Sequence, residues 1–135
     1  MADFERRSDE ELGALRALAE RVAFELDRAG LPIITGSETR PAGGAELELD
    51  PGDDSAGGLY LHWRNAHLLA DEVSEQLLGG RLSSPLIDHA GRIGSAMCEA
   101  MIKILESSGI GAGMSTDDLR PLSVRVHEGG HRPLG

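Results

Sequence analysis

The stretch His127-Glu128-Gly129-Gly130-His131 has the HExxH spacing. On a helix, that spacing sets two imidazoles on one zinc ion and a glutamate against the metal-bound water. Two adjacent glycines between the histidines make a poor helix. With four residues following, no third ligand is expected from downstream. We expect a loose tail that binds metal only adventitiously, and no metal or cofactor site. Gly109-Ile110-Gly111-Ala112-Gly113-Met114 has two glycines of a dinucleotide fingerprint, but Met114 stands where the last belongs. It also follows a helix, whereas the fingerprint follows a strand. Asp50, Asp53 and Asp54 lack the spacing and closing glutamate of a calcium loop.

The remaining nucleophiles are equally plain. Cys98 falls on the apolar side of a long helix and reads as a buried structural thiol. Gly94-Ser95-Ala96 lacks the flanking glycines of a serine-hydrolase elbow. Gly91 and Gly94, with Ala90 and Ser95, fit close approach by another backbone. His89 beside Asp88 reads as a surface residue. His62 and His67 flank a strand-to-helix corner, but two histidines make no metal site without a third ligand.

One constellation is left: Tyr60 and His62 with Arg125, Glu46 and Glu48, all on one face of alternating strands. It could orient an anionic or amphipathic ligand, or form half of a partner interface. The plainer alternative is cross-strand Glu–Arg pairing on a wet sheet. Catalysis there ranks below both.

The elements that must position these residues follow from period and caps. Ser8-Asp9-Glu10-Glu11 is a capping box. Leu12, Leu15, Ala19, Val22 and Leu26 then repeat at helical spacing to Gly30. Leu31 to Thr35 is an edge strand at best, because Pro32 cannot donate to a ladder. Ala45 to Leu49 and Gly58 to Trp63 alternate and suggest an antiparallel hairpin across the DPGDDSAG connector. Asn65 can cap a second helix to Leu78, with Ala66, Leu69, Val73 and Leu77 inward.

Ser84 and Pro85 open a long helix that Gly109 ends. Its polar stripe (Asp88, Arg92, Ser95, Glu99, Lys103, Glu106) is narrow, so its apolar arc calls for two neighbours. Gly109 to Asp118 reads as a loop, and Leu122, Val124 and Val126 as the inward face of a last strand.

We therefore expect one α+β domain: an antiparallel sheet of three to four strands, with the first and long helices on one face. The second helix should lie at an edge. Leu47, Leu49, Leu59, Leu61, Trp63, Leu122, Val124 and Val126 should face the helices. Glu46, Glu48, Tyr60, His62, Ser123 and Arg125 should face outward. Residues 1–7 and 127–135 are expected to be flexible.

The chain has 135 residues, four aromatics, one cysteine and a net charge of −10. That charge argues against nucleic acid and anionic lipid, which draw on a basic surface. It fits a basic protein partner, solubility or, less well, nucleic-acid mimicry. Lone Cys98, no apolar run of membrane-spanning length and no signal-like hydrophobic region suggest a cytoplasmic protein. Arginine, alanine and glycine in place of lysine and asparagine suggest a high-GC bacterial genome.

GLYLHWRNAHLLADEV, the long helix and the closing RPLSVRV resemble small acidic uncharacterised proteins of actinomycete bacteria over residues 58–126. That resemblance implies no activity. Size, acidity and an opening helix before a three-strand meander are also similar to type III secretion chaperones. This second likeness implies a cytosolic dimer that holds a client segment. Those chaperones place further strands and a final helix after the second helix, where this chain is expected to have two helices and one strand.

The leading expectation is a non-catalytic binding or adaptor protein for a protein partner, chaperone-like or immunity-like, as a monomer or homodimer. Tyr60, His62, Arg125, Glu46 and Glu48 are its candidate contacts. The alternative is a small-molecule-binding protein or minor enzyme with a pocket between sheet and helices.

Overall fold

The computed structural model describes residues 7–34, 43–52, 57–117 and 120–127. The order is α1 (Asp9–Arg28), β1 (Ile33–Ile34), β2 (Gly44–Asp50), β3 (Gly58–Arg64), α2 (His67–Leu78), α3 (Pro85–Ser107), β4 (Ala112–Met114) and β5 (Ser123–Val126).

The capping box forms as expected. The Ser8 N–H donates to Glu11 Oε1 at 3.1 Å, and the Glu11 N–H donates to Ser8 Oγ at 3.2 Å. Leu12, Leu15, Leu18, Val22 and Leu26 are buried along one stripe of α1, each contributing roughly 2 kcal/mol by leaving water. The N-terminal segment is less loose at its inner end than expected. The Arg7 N–H donates to Pro51 O and its Nε to Gly52 O, both at 3.0 Å. Residues 1–6 and 128–135 lie outside the described residues, and with them all of the HExxH stretch except His127.

The fold is α+β, but the sheet is larger than expected and mixed. Five strands run in the order β1-β2-β3-β5-β4, with β1 parallel to β2 and the other pairs antiparallel. Pro32 does not keep β1 out, because its carbonyl accepts the Ala45 N–H at 2.8 Å and no donor is needed from it. Strand β4 replaces part of the expected 109–118 loop. Its small residues Ala112 and Gly113 carry no alternation, so only their pairing with β5 defines it. The His127 N–H extends that pairing to Gly111 O at 2.8 Å.

Helices α1 and α3 cover one face of the sheet, over a core of Leu15, Val22, Leu26, Leu59, Leu61, Cys98, Met101, Leu105, Val124 and Val126. Leu47, Leu49 and Trp63 pack at its margin. Leu122 does not join them. It stands half exposed just before β5 with φ 55°, a left-handed conformation that costs a non-glycine residue roughly 1–2 kcal/mol.

Gly43 lets β2 start against the β3–α2 corner. A Cβ there would lie 2.7 Å from Arg64 O and 2.9 Å from Ala66 N, so no other residue fits without a shift.

Helix α2 touches α3 but not the sheet, and buries no residue. The expected Asn65 cap does not form. Ala66 is the N-cap residue, with no side-chain hydrogen bond. Asn65 Nδ2 donates instead to Ala90 O on α3 at 3.3 Å, and its Oδ1 is buried without a partner among the described residues. Ser84 does cap α3, accepting the Ile87 N–H at 3.1 Å, and its hydroxyl donates to Gln76 of α2. The wide apolar arc of α3 is buried only in its second half, at Cys98, Met101 and Leu105. A Cβ at Gly91 or Gly94 would meet nothing within 4 Å. The close backbone approach expected at these glycines is thus not made among the described residues.

Candidate functional site

The five residues expected on the open sheet face do come together. In register, Glu46 faces His62, Glu48 faces Tyr60, and Tyr60 faces Arg125. The face is not open, however. Tyr60 is completely buried, because two guanidiniums lie over its ring. The carbon of Arg120 is 4.2 Å from the ring centroid and that of Arg125 is 5.5 Å away. Each such contact is worth about 1–2 kcal/mol when partly desolvated.

Arg120 is the organising residue, and the sequence reading does not single it out. Its Nη1 donates to Asp117 at 2.8 Å, while its Nη2 donates to Glu48 at 2.9 Å and Asp50 at 2.8 Å. Its carbonyl accepts the hydroxyl of buried Ser123 at 2.6 Å. One guanidinium therefore ties the segment before β5 onto β2 across the face of β3. The Glu48 hydrogen bond, against the opposing effect of burial and aided by Asp117 and Asp50, raises the pKa of Arg120 beyond its already high value. In turn the Arg120 hydrogen bond, with a smaller one from His62, holds Glu48 below the ordinary carboxylate range.

The pairing continues along the face. Glu48 Oε1 meets His62 Nε2 at 2.9 Å, and Glu46 Oε2 accepts from Arg64 Nη2 at 2.6 Å. Arg125 Nη2 donates to Gly57 O at 2.7 Å. The cluster sets four carboxylates (Glu46, Glu48, Asp50, Asp117) against three guanidiniums and an imidazole. It is nearly neutral, so the acidic excess of the chain lies elsewhere.

This arrangement limits the chemistry. Arg120 already holds three carboxylates through its two Nη atoms, and its Nε is buried without a partner among the described residues, so it is a poor receptor for an external anion. Ser123 is buried and committed to the Arg120 carbonyl. His62 with Glu48 has the form of an oriented general base, but no activated nucleophile stands beside it among the described residues. His67 pairs with Asp71 at 3.3 Å on α2, so the two histidines flanking the corner have separate partners. No group of three metal-ligating side chains occurs among the described residues. Cys98 is fully buried with its Sγ 3.4 Å from Leu122 O, and burial pushes its thiol pKa up.

The helices tell a different story. Leu68, Leu78 and Leu82 are 73%, 89% and 81% exposed, and Leu77 is also exposed. Leu69, Val73 and Gln76 turn inward. Leu68, Asp71, Glu72, Glu75 and Leu78 are all exposed, and each lies three or four residues from another of the set, so they share one outward stripe of α2. The side chains of Glu72 and Glu75 make no ion pair or hydrogen bond among the described residues. No spacing rule separates this stripe from an ordinary solvated helix, because what marks it is the absence of a neighbour among the described residues.

No helix among the described residues is long and apolar enough to cross a membrane. Comparison of the chain with protein-family models, with curated proteins and with solved structures yields no match.

Proposed function

We propose that this chain is a non-catalytic protein-binding module that engages its partner through the outward side of α2 and the turn into α3. The observation that carries the reading is the exposure of Leu68 and Leu78 on a helix that buries no residue of its own, with exposed Leu82 in the turn that follows it. Exposed leucines at such levels on one element are costly in water and mark interaction surfaces. The polar groups that would serve catalysis are bound to one another around Tyr60, which weighs against the enzyme alternative.

This reading moves the contact away from Tyr60, His62, Arg125, Glu46 and Glu48. Replacing Tyr60 would disturb the fold before it disturbed a partner, since the ring is buried under Arg120 and Arg125.

The test is affinity capture of the tagged protein from lysate with a salt wash, run beside L68S/L78S and R64Q. A protein retained in stoichiometric amount by the parent and R64Q, but lost by L68S/L78S, supports the reading. Loss with R64Q alone would return the contact to the sheet face. Capture of nothing by any of the three would count against a protein-binding role.

A further inference from the structure

Resting on that reading, we infer that the outward stripe of α2 docks a cationic amphipathic helix of another protein. The stripe is built for charge as much as for apolar contact. Asp71, Glu72 and Glu75 stand between Leu68 and Leu78, and the two glutamate side chains have no ion-pair partner among the described residues. The leucines are ten residues apart, which on a helix is roughly 15 Å. A partner helix of about four turns would span them, with large apolar side chains toward its ends and lysine or arginine between. Helix-on-helix contact of that size buries less than roughly 1,200 Å², so the affinity expected is micromolar.

Charge selects this occupant over the other candidates. A second copy related by two-fold symmetry would set the same carboxylates against each other, in a chain that already carries −10. An anionic lipid surface would be repelled by the same groups. On the sheet face Glu46, Glu48 and Asp50 are already paired with Arg64 and Arg120, whereas on α2 the carboxylates stand beside exposed leucines, so a segment both basic and amphipathic is matched better there.

The probe is a fluorescein-labelled fourteen-residue peptide of leucine and lysine with its leucines at helical spacing, titrated into the full chain by anisotropy. The stripe variant is D71K/E72K/E75K. Its control, E20K/E99K/E106K, makes the same change in net charge at exposed sites off the stripe. We expect saturable one-to-one binding that weakens roughly tenfold or more in the stripe variant and in L68S/L78S, but less than about threefold in the control. Equal loss in the two charge variants would overturn the proposal, since net charge alone would then hold the peptide. So would lack of saturation in the parent, or a dimer in sedimentation that L68S/L78S dissociates. The two readings fail separately. If the peptide test fails while the parent still captures a protein that L68S/L78S loses, only the partner's chemistry is wrong. If capture also fails, the binding module itself is.

Discussion

On the sheet face, each outward carboxylate of β2 points at a guanidinium of the same chain: Glu46 at Arg64, and Glu48 and Asp50 at Arg120, with His62 as a second partner of Glu48. On α2, the side chains of Glu72 and Glu75 have no partner among the described residues, and the leucines on either side of them lie in water. The first region has the residue types usually taken for a site, and it uses them to close itself. The second has ordinary helix residues and leaves them unsatisfied. Function is better sought where the fold leaves interactions unmade than where it has completed them, because completed pairs must be broken before anything else can bind.

The largest effect should come from removing the centre of the closed region. Tyr60→Ala deletes a fully buried ring together with its two guanidinium contacts, and should cost about 4 kcal/mol in urea denaturation. Arg120→Met should cost about 3 kcal/mol, lowering the melting temperature by roughly 10 °C, because it leaves Glu48, Asp50 and Asp117 without their shared cation. A loss below about 1 kcal/mol in Arg120→Met would mean that the cluster is a loose surface network, and the contrast between the two regions would fail.

A smaller effect should follow from acid. Glu48 is held below the ordinary carboxylate range in the folded chain, so the unfolded chain takes up that proton first as pH falls. The stability it contributes is fully present above the unfolded value and is lost as pH drops through the folded one. Stability measured from neutral pH down through the carboxylate range should therefore decline, and less steeply in Glu48→Gln. Equal slopes in the two proteins would remove Glu48 from the clamp.

Arg64→Gln should cost no more than about 0.5 kcal/mol, since that pair is the most exposed rung of the ladder. L68S/L78S should change stability by less than about 0.5 kcal/mol by the same denaturation assay, because both side chains are already in water. A loss of 2 kcal/mol or more there would show that α2 is packed against something within the chain.

Much of the frame was legible from local rules. The Ser8 capping box, the Ser84-Pro85 start of α3 and the apolar spacing of α1 each act within one or two turns, so they can be read before any tertiary contact exists. Alternation in β2, β3 and β5 correctly put Glu46, Glu48, Tyr60, His62 and Arg125 on one face. Strand β4 was not legible, because Ala112-Gly113-Met114 shows no period and becomes a strand only through β5. Asn65 is a good cap by residue type, but its side chain finds Ala90 O instead, a partner 25 residues away that local rules do not show.

What the sequence determined by itself is therefore the helices, three of the five strands, the face on which the charged residues stand and the −10 charge. These follow from periods of two and 3.6 and from composition. Only the tertiary structure decided that the face is closed and α2 is not. Arg120 reaches Glu48 and Asp50 across separations of 72 and 70 residues, and a guanidinium carries no sign in its neighbours of which carboxylates it will meet. The exposure of Leu68 and Leu78 is likewise a matter of what packs against α2, and α3 covers only the side opposite them.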